Sequence, residues 1–118
     1  TNSGMTWKAM NSSAILNIKT LAAKYGCKVM VCEIGVRDTA SDLAVSTQCI
    51  TEFMSSVKSL SVCAGVFYWE PQVDGKWKPS IYEKSDRNWG AYSMGAFTSD
   101  GSTFSPTSIL SAFGGGDS

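Results

Sequence analysis

Histidine is absent from this 118-residue chain. Its absence excludes His-ligated metal sites, Ser-His-Asp triads and Cys-His dyads formed by this chain alone. An excess of charge is missing too, because ten basic residues balance ten acidic ones. A nucleic-acid binder or a protein of anionic membranes needs a basic surface, so neither partner is expected. No apolar run is long enough to cross a bilayer, and the longest, residues 63–69, has the length of a strand.

Phosphate-binding loops and cysteine pairs of the metal-binding type are also lacking. The Gly114-Gly115-Gly116 run lies at the end of the sequence, and no helix follows it. No C-x-x-C motif is present, which argues against a structural zinc site or a thioredoxin-like centre. The four cysteines are Cys27, Cys32, Cys49 and Cys63. A predicted strand separates the first two by more than a disulfide spans, so we expect free, buried thiols, with a Cys49–Cys63 disulfide as the open alternative.

Helical and strand patterns alternate over the first 71 residues. The predicted elements are a helix over residues 12–25, a strand over 28–33, a helix over 41–60 and a strand over 64–70. The side-chain oxygens of Asn11-Ser12-Ser13 suit the start of the first helix, and Gly26 suits its end. Both strands are apolar on both faces, as in a covered parallel sheet, and Pro71 closes the second. This order predicts parallel βα units and an α/β fold.

The remainder of the sequence is dominated by a long aromatic segment. Residues 72–101 show little periodicity, and their aromatic content favours an ordered, functional loop. A turn is predicted at residues 98–101. A last short helix is predicted to begin at Ser105-Pro106, with proline at its first helical position. Residues 114–118 are predicted to be a disordered tail.

Acidic and aromatic residues follow the two predicted strands where they end. Functional residues of parallel α/β proteins gather at the carboxyl ends of the strands, so Glu33, Trp69 and Glu70 are expected at one edge. Alternation along the strands places Glu33 on the face of Val29 and Val31, and Trp69 on the face of Phe67. The same alternation places Glu70 on the opposite face from Trp69, unless the strand bends at its end.

Carboxylates beside aromatic rings, without histidine or a phosphate motif, indicate a carbohydrate ligand. Indole rings stack on the CH faces of sugars, and carboxylates can cleave glycosidic bonds. No cofactor is predicted. Asp74, Glu83 and Asp86 carry the oxygen ligands that Ca²⁺ takes, but their spacing does not match an EF-hand, so Ca²⁺ remains open.

Residues 29–35 (VMVCEIG) and 64–71 (AGVFYWEP) resemble the last two strands of the endo-β-1,4-galactanases of glycoside hydrolase family 53. The resemblance covers residues 11–113, and its most specific part is the Phe-Tyr-Trp-Glu-Pro run. It implies an α/β fold that is the C-terminal portion, from helix 6 to helix 8, of a (β/α)₈ barrel. A complete barrel needs about 250 residues, so this chain cannot close one alone. It would pair with the missing N-terminal part of the barrel or with copies of itself.

The resemblance also implies roles for individual residues. Glu33 takes the position of the catalytic nucleophile in a retaining enzyme that hydrolyses the galactan or arabinogalactan of plant pectin. The acid/base glutamate of the family lies at the end of the fourth strand, upstream of Thr1. The substrate-binding residues implied are Trp69, Glu70, Trp89 and Tyr92. The alternative role of Glu70 is structural, a bond to the backbone or to a neighbouring arginine at the rim. Trp77, Trp89 and Tyr92 either line a glycan groove or pack the loop onto the barrel.

The polar first residues carry no secretory signal pattern, which is typical of an excised piece or a mature fragment. A polymeric substrate implies an extracellular, cell-surface or periplasmic location. Two other functions remain open: a related mannanase or cellulase with the same nucleophile, and a non-catalytic glycan-binding module. A plain packing role for a thiol-bearing α/β domain leaves the Trp69-Glu70-Pro71 terminus without an explanation.

Overall fold

The computed structural model describes residues 6–69, 71–72 and 94–114. In chain order the elements are α1 (Trp7–Tyr25), β1 (Val29–Ile34), α2 (Leu43–Lys58), β2 (Cys63–Tyr68), β3 (Phe97–Ser99), β4 (Phe104–Pro106) and α3 (Ser108–Gly114). The strands β1 and β2 pair in parallel, with α2 as the crossover between them. The predicted βα alternation is therefore confirmed for this part of the chain. None of the described helices combines the length and apolar character of a membrane span.

Helix α1 begins five residues earlier than the sequence predicts. Its N-cap is Thr6, whose hydroxyl accepts a hydrogen bond from the Ala9 amide at 3.2 Å. Asn11 does not cap the helix, because its side-chain amide donates to the Cys49 carbonyl of α2 at 3.0 Å. The predicted end is confirmed: Gly26 has φ 62°, and its amide donates to the Ala22 carbonyl. Glycine adopts this left-handed conformation without the Cβ conflict that other residues meet.

The helices cover one face of the β1–β2 sheet. Val29, Val31 and Val66 pack against a buried cluster formed by residues of α1 and α2, namely Ile18, Phe53 and Val57. The opposite face is open, since Met30 is 49% exposed and Phe67 is 59% exposed. The described residues therefore cover one of the two faces that the sequence predicts to be covered, and the prediction for the second face stays a prediction. Among the described residues the sheet has one layer of helices, and large apolar side chains on its other face remain about half exposed.

A second buried cluster holds the C-terminal segment on α2. It consists of Ile50, Ala96, Ile109 and Ala112, and the half-buried Ile34 and Tyr68 pack against it. Ile109 of α3 and Ile50 of α2 have no exposed surface. This cluster therefore joins α2 and α3 to the carboxyl ends of β1 and β2.

The chain before α3 is a hairpin rather than a helix start. Pro106 pairs with Phe97 in the β3–β4 ladder, and α3 begins two residues later. The prediction of Pro106 as the first helical residue is wrong, because hairpin pairing fixes it in an extended strand. The predicted turn is confirmed: the Asp100 carboxylate accepts hydrogen bonds from the amides of Ser102 and Thr103, both at 2.8 Å. Gly114, predicted as the first residue of the tail, is the last residue of α3, and residues 115–118 lie outside the description.

Candidate active site

The carboxyl ends of β1 and β2 lie side by side. Ile34 is paired with Tyr68, and the Trp69 amide donates to the Ile34 carbonyl at 2.9 Å. Glu33 directly precedes Ile34 in sequence. The parallel pairing thus brings the backbone of Glu33 and that of Trp69 to the same edge, as the sequence predicts.

An irregularity in β1 determines which way Glu33 points. Val31 pairs with Val66 and Ile34 pairs with Tyr68, so three steps along β1 match two along β2. The extra residue falls at Cys32–Glu33, and both of these residues are exposed. A bulge of this kind changes the face on which the following side chains lie.

The bulge corrects the predicted alternation. Val29, Val31 and Ile34 all pack toward the helices, whereas Glu33, within the bulge between Val31 and Ile34, is exposed. The prediction that Glu33 shares a face with Val29 and Val31 is therefore wrong. On β2, Val66 and Tyr68 pack toward the helices, which leaves Phe67 between them on the open face. Glu33 lies clear of the helix packing, at the edge where Trp69 is 45% exposed.

The Glu33 carboxylate is exposed and has no hydrogen bond or ion pair with any residue in the described ranges. A nucleophilic carboxylate needs hydrogen-bond donors around it to hold its orientation. Those donors are not supplied by residues 6–69, 71–72 or 94–114.

The Tyr68 hydroxyl links three segments at this edge. It accepts a hydrogen bond from the Val36 amide at 3.3 Å and donates to the Met94 carbonyl at 2.9 Å. Its ring meets Phe113 of α3 edge to face, with the ring centroids 5.8 Å apart. Burial raises the pKa of Tyr68, the Val36 hydrogen bond opposes this rise, and the nearby Asp38 charge adds to it. The hydroxyl is therefore held in its protonated, donating form.

A carboxylate completes the connection between the loop after β1 and residues 94–97. Asp38 Oδ2 accepts a hydrogen bond from the Gly95 amide at 2.9 Å. The Pro71 carbonyl accepts from the amides of Ala96 and Phe97 at 2.8 and 3.2 Å. A Cβ added at Gly35 would lie 3.2 Å from the Met94 methyl group, so glycine permits this close approach. The segment entering β3 is thus fixed against the chain that follows Glu33.

The other predicted site residues lie outside the described residues. These are Glu70, Trp89 and Tyr92, together with Trp77 and the three loop carboxylates considered for Ca²⁺, Asp74, Glu83 and Asp86. Tyr68 and Asp38, whose hydrogen bonds connect the loop after β1 to residues 94–95, were not identified from the sequence. The available signal for Tyr68 was a polar aromatic residue at a strand end, since a buried tyrosine hydroxyl usually finds a partner. Asp38 gave none, because its partner is 57 residues away.

All four cysteines are free, and Cys49 and Cys63 form no disulfide. The expectation that the thiols are buried is wrong, because Cys27 and Cys32 are exposed and the other two are half-buried. Burial raises the pKa of the Cys49 thiol, the Asn11 hydrogen bond lowers it, and the Glu52 charge raises it. Over the described ranges, no group of three or more Cys, Asp or Glu side chains is placed to hold a metal ion.

Comparison of the chain with protein-family models, with curated proteins and with solved structures finds no match.

Proposed function

We propose that this chain is the nucleophile-bearing, C-terminal part of a (β/α)₈ glycosidase, a retaining endo-β-1,4-galactanase that acts on plant galactan and arabinogalactan. The observation that carries the proposal is an exposed carboxylate, Glu33, at the carboxyl end of β1 beside Trp69 at the end of the parallel strand β2. The resemblance of residues 29–35 and 64–71 to the last two strands of family 53 supports it.

The open sheet face supports the partial barrel. Met30 and Phe67 are exposed apolar side chains on the face away from the helices, and within residues 6–69, 71–72 and 94–114 no third strand pairs with β1 or β2. In a closed barrel this face would be filled by side chains of neighbouring strands, and strand edges would be paired. The proposed partner is therefore the missing N-terminal part of the barrel, with self-association as the alternative.

In the proposed reaction, the Glu33 carboxylate attacks the anomeric carbon of a galactosyl residue. The glycosidic bond breaks as a second carboxyl group, about 5–5.5 Å away, protonates the leaving oxygen. The same second group then takes a proton from water, which attacks the glycosyl ester and releases Glu33. Two inversions at the anomeric carbon retain the β configuration. The second carboxyl is the glutamate that the resemblance places upstream of Thr1, so the 118-residue chain alone is expected to be inactive on galactan.

Trp69 is the proposed stacking wall for a sugar ring. Its indole is partly exposed at the edge next to Glu33, and its backbone is fixed by the Ile34 carbonyl. A fixed indole presents a rigid apolar surface at low entropic cost. The proposed action on an extracellular polymer implies an extracellular, cell-surface or periplasmic site, and the reaction needs no cofactor.

Azide rescue tests the role of Glu33 in the protein that carries the complete barrel. Glu33→Ala should lower hydrolysis of a dinitrophenyl β-galactoside by about three orders of magnitude. Added azide should then attack the anomeric carbon in place of the missing carboxylate, expel dinitrophenolate and yield the α-galactosyl azide. The matched control is Glu52→Ala, an exposed glutamate on α2. Full activity in Glu33→Ala, or no azide product, would overturn the assignment.

A glycan-binding module without catalysis is the second candidate, favoured by the exposure of the aromatic rings of Phe67 and Trp69. This function predicts that Glu33→Gln retains the affinity for galactan oligosaccharides and that the unsubstituted protein releases no reducing ends. Titration calorimetry and a reducing-sugar assay on the same preparations separate the two functions.

A further inference from the structure

The end of β2 holds the chain that follows Glu33 at two points. The Trp69 amide donates to the Ile34 carbonyl, and the Tyr68 hydroxyl accepts from the Val36 amide two residues further on. Tyr68, the last residue of β2, and Trp69, which follows it, thus fix residues 36 and 34, one through a side chain and one through the backbone.

Tyr68 is itself fixed from two directions. Its single hydroxyl proton is directed to the Met94 carbonyl at 2.9 Å, a shorter contact than the 3.4 Å to the Val36 carbonyl. Its ring packs against Phe113 of α3. A phenylalanine in its place would keep the ring contact and lose only the hydroxyl, which leaves the Val36 amide and the Met94 carbonyl without this partner.

Because Glu33 lies in the bulge, the contacts of Tyr68 and Trp69 with residues 34–36 influence the direction of its carboxylate. Residues within a bulge leave the regular ladder, so their side-chain directions depend on where the chain is fixed on either side. On one side that point is Val31, which pairs with Val66. On the other side it is the stretch from Ile34 to Val36, which Tyr68 and Trp69 hold.

We propose that Tyr68 is a positioning residue: its hydroxyl fixes the chain after the bulge and so sets the direction from which the Glu33 carboxylate meets the anomeric carbon. This role rests on the proposed function. It differs from general stabilisation because it acts on one reacting group and not on substrate binding. Displacements of about 1 Å at a reacting group lower rates by up to a hundredfold.

Tyr68→Phe tests this role in the protein with the complete barrel. We expect kcat on the dinitrophenyl β-galactoside to fall about tenfold, with KM changed less than twofold. The control is Tyr25→Phe, which removes a hydroxyl from a tyrosine of α1 that is 64% exposed and should leave both constants unchanged.

The second arm repeats Tyr68→Phe in the Glu33→Ala background with azide as the nucleophile. Azide diffuses freely and needs no fixed carboxylate, so the rate of azide product formation should be the same with Tyr68 and with Phe at this position. A tenfold loss in this background too would show a general structural effect and overturn the positioning role alone. The absence of azide rescue in Glu33→Ala itself would overturn the proposed function, and the positioning role with it.

Asp38→Asn supplies a second variant that keeps the inference testable if Tyr68→Phe folds poorly. The Asp38 carboxylate accepts a hydrogen bond from the amide of Gly95, which follows Met94 in sequence. The Met94 carbonyl in turn accepts the hydrogen bond from the Tyr68 hydroxyl. Asp38→Asn weakens the hydrogen bond to Gly95 and should give the result expected of Tyr68→Phe. The kcat should fall in the enzyme that has Glu33, and the rate of the azide reaction should stay unchanged in the Glu33→Ala background. An equal loss in both reactions would count against the positioning role.

Discussion

Substitution of Ile109 by alanine should destabilise the protein more than any comparable change at the surface of α3. Ile109 has no exposed area and joins α3 to Ile50 and Ala96 in the second buried cluster. Removing three carbon atoms loses about 2.4 kcal/mol of transfer free energy, and the remaining cavity adds to this cost. We expect the free energy of unfolding to fall by about 3 kcal/mol, which raises the unfolding equilibrium constant more than a hundredfold.

Urea denaturation of the purified protein measures this change, and Leu110→Ala is the matched control. Leu110 is the next residue of the same helix and is 38% exposed, so its truncation should cost about 1 kcal/mol or less. Hydrogen exchange should also accelerate at the amides of Ala96 and Thr107, because Ala96 packs in the same cluster and its carbonyl accepts from Thr107. Equal losses for Ile109→Ala and Leu110→Ala would refute the assignment of α3 to this cluster.

Three further predictions concern the helix cap, the thiols and high pH. Thr6→Ala removes the N-cap acceptor of α1 and should lower the free energy of unfolding by about 1 kcal/mol. Ser12→Ala, at an exposed position within the helix, should change it little. Thermal melts compare the two variants, and a larger loss for Ser12→Ala would support the helix start predicted from the sequence at Asn11-Ser12-Ser13. Cys27 and Cys32 are exposed and should react with iodoacetamide before Cys49, because burial raises the pKa of the Cys49 thiol. Mass spectrometry of samples taken over time gives the order of labelling. Labelling of Cys49 before the other two would contradict the packing of α1 on α2. The raised pKa of Tyr68 means that the unfolded chain loses this proton first as pH rises above about 10, so stability should fall with pH until the folded protein ionises as well. Tyr68→Phe should lack this contribution to the loss of stability at high pH. Urea denaturation of the unsubstituted protein and of Tyr68→Phe at several pH values measures the difference. The same dependence of the urea midpoint on pH in both proteins would contradict the burial of this hydroxyl.

The elements with strong local signals were predictable from the sequence. The apolar periodicity of residues 41–60 and the two apolar runs around it gave α2 and its flanking strands, with ends that differ by about two residues. Gly26 marked the end of α1, because a left-handed residue after a helix favours glycine whatever packs nearby. The turn at Asp100 was also predictable, since its carboxylate bonds to amides two and three residues away.

Features that depend on distant partners were not predictable in this way. Asn11 looked like part of a helix cap, but it lies within α1 because Cys49 of α2 offers it a carbonyl. Pro106 looked like a helix start, but its pairing with Phe97 keeps it in a strand. In both cases a contact between separate elements outweighed a local preference that is small in energy.

The candidate site shows the same division. Residue types and their place at strand ends were enough to select Glu33 and Trp69, because parallel strands bring their carboxyl ends to one edge. Which face Glu33 occupies was decided only by the tertiary structure. Alternation has a period of two, so the single extra residue in β1 reverses the assignment, and that residue is revealed by the register against β2 rather than by β1 itself.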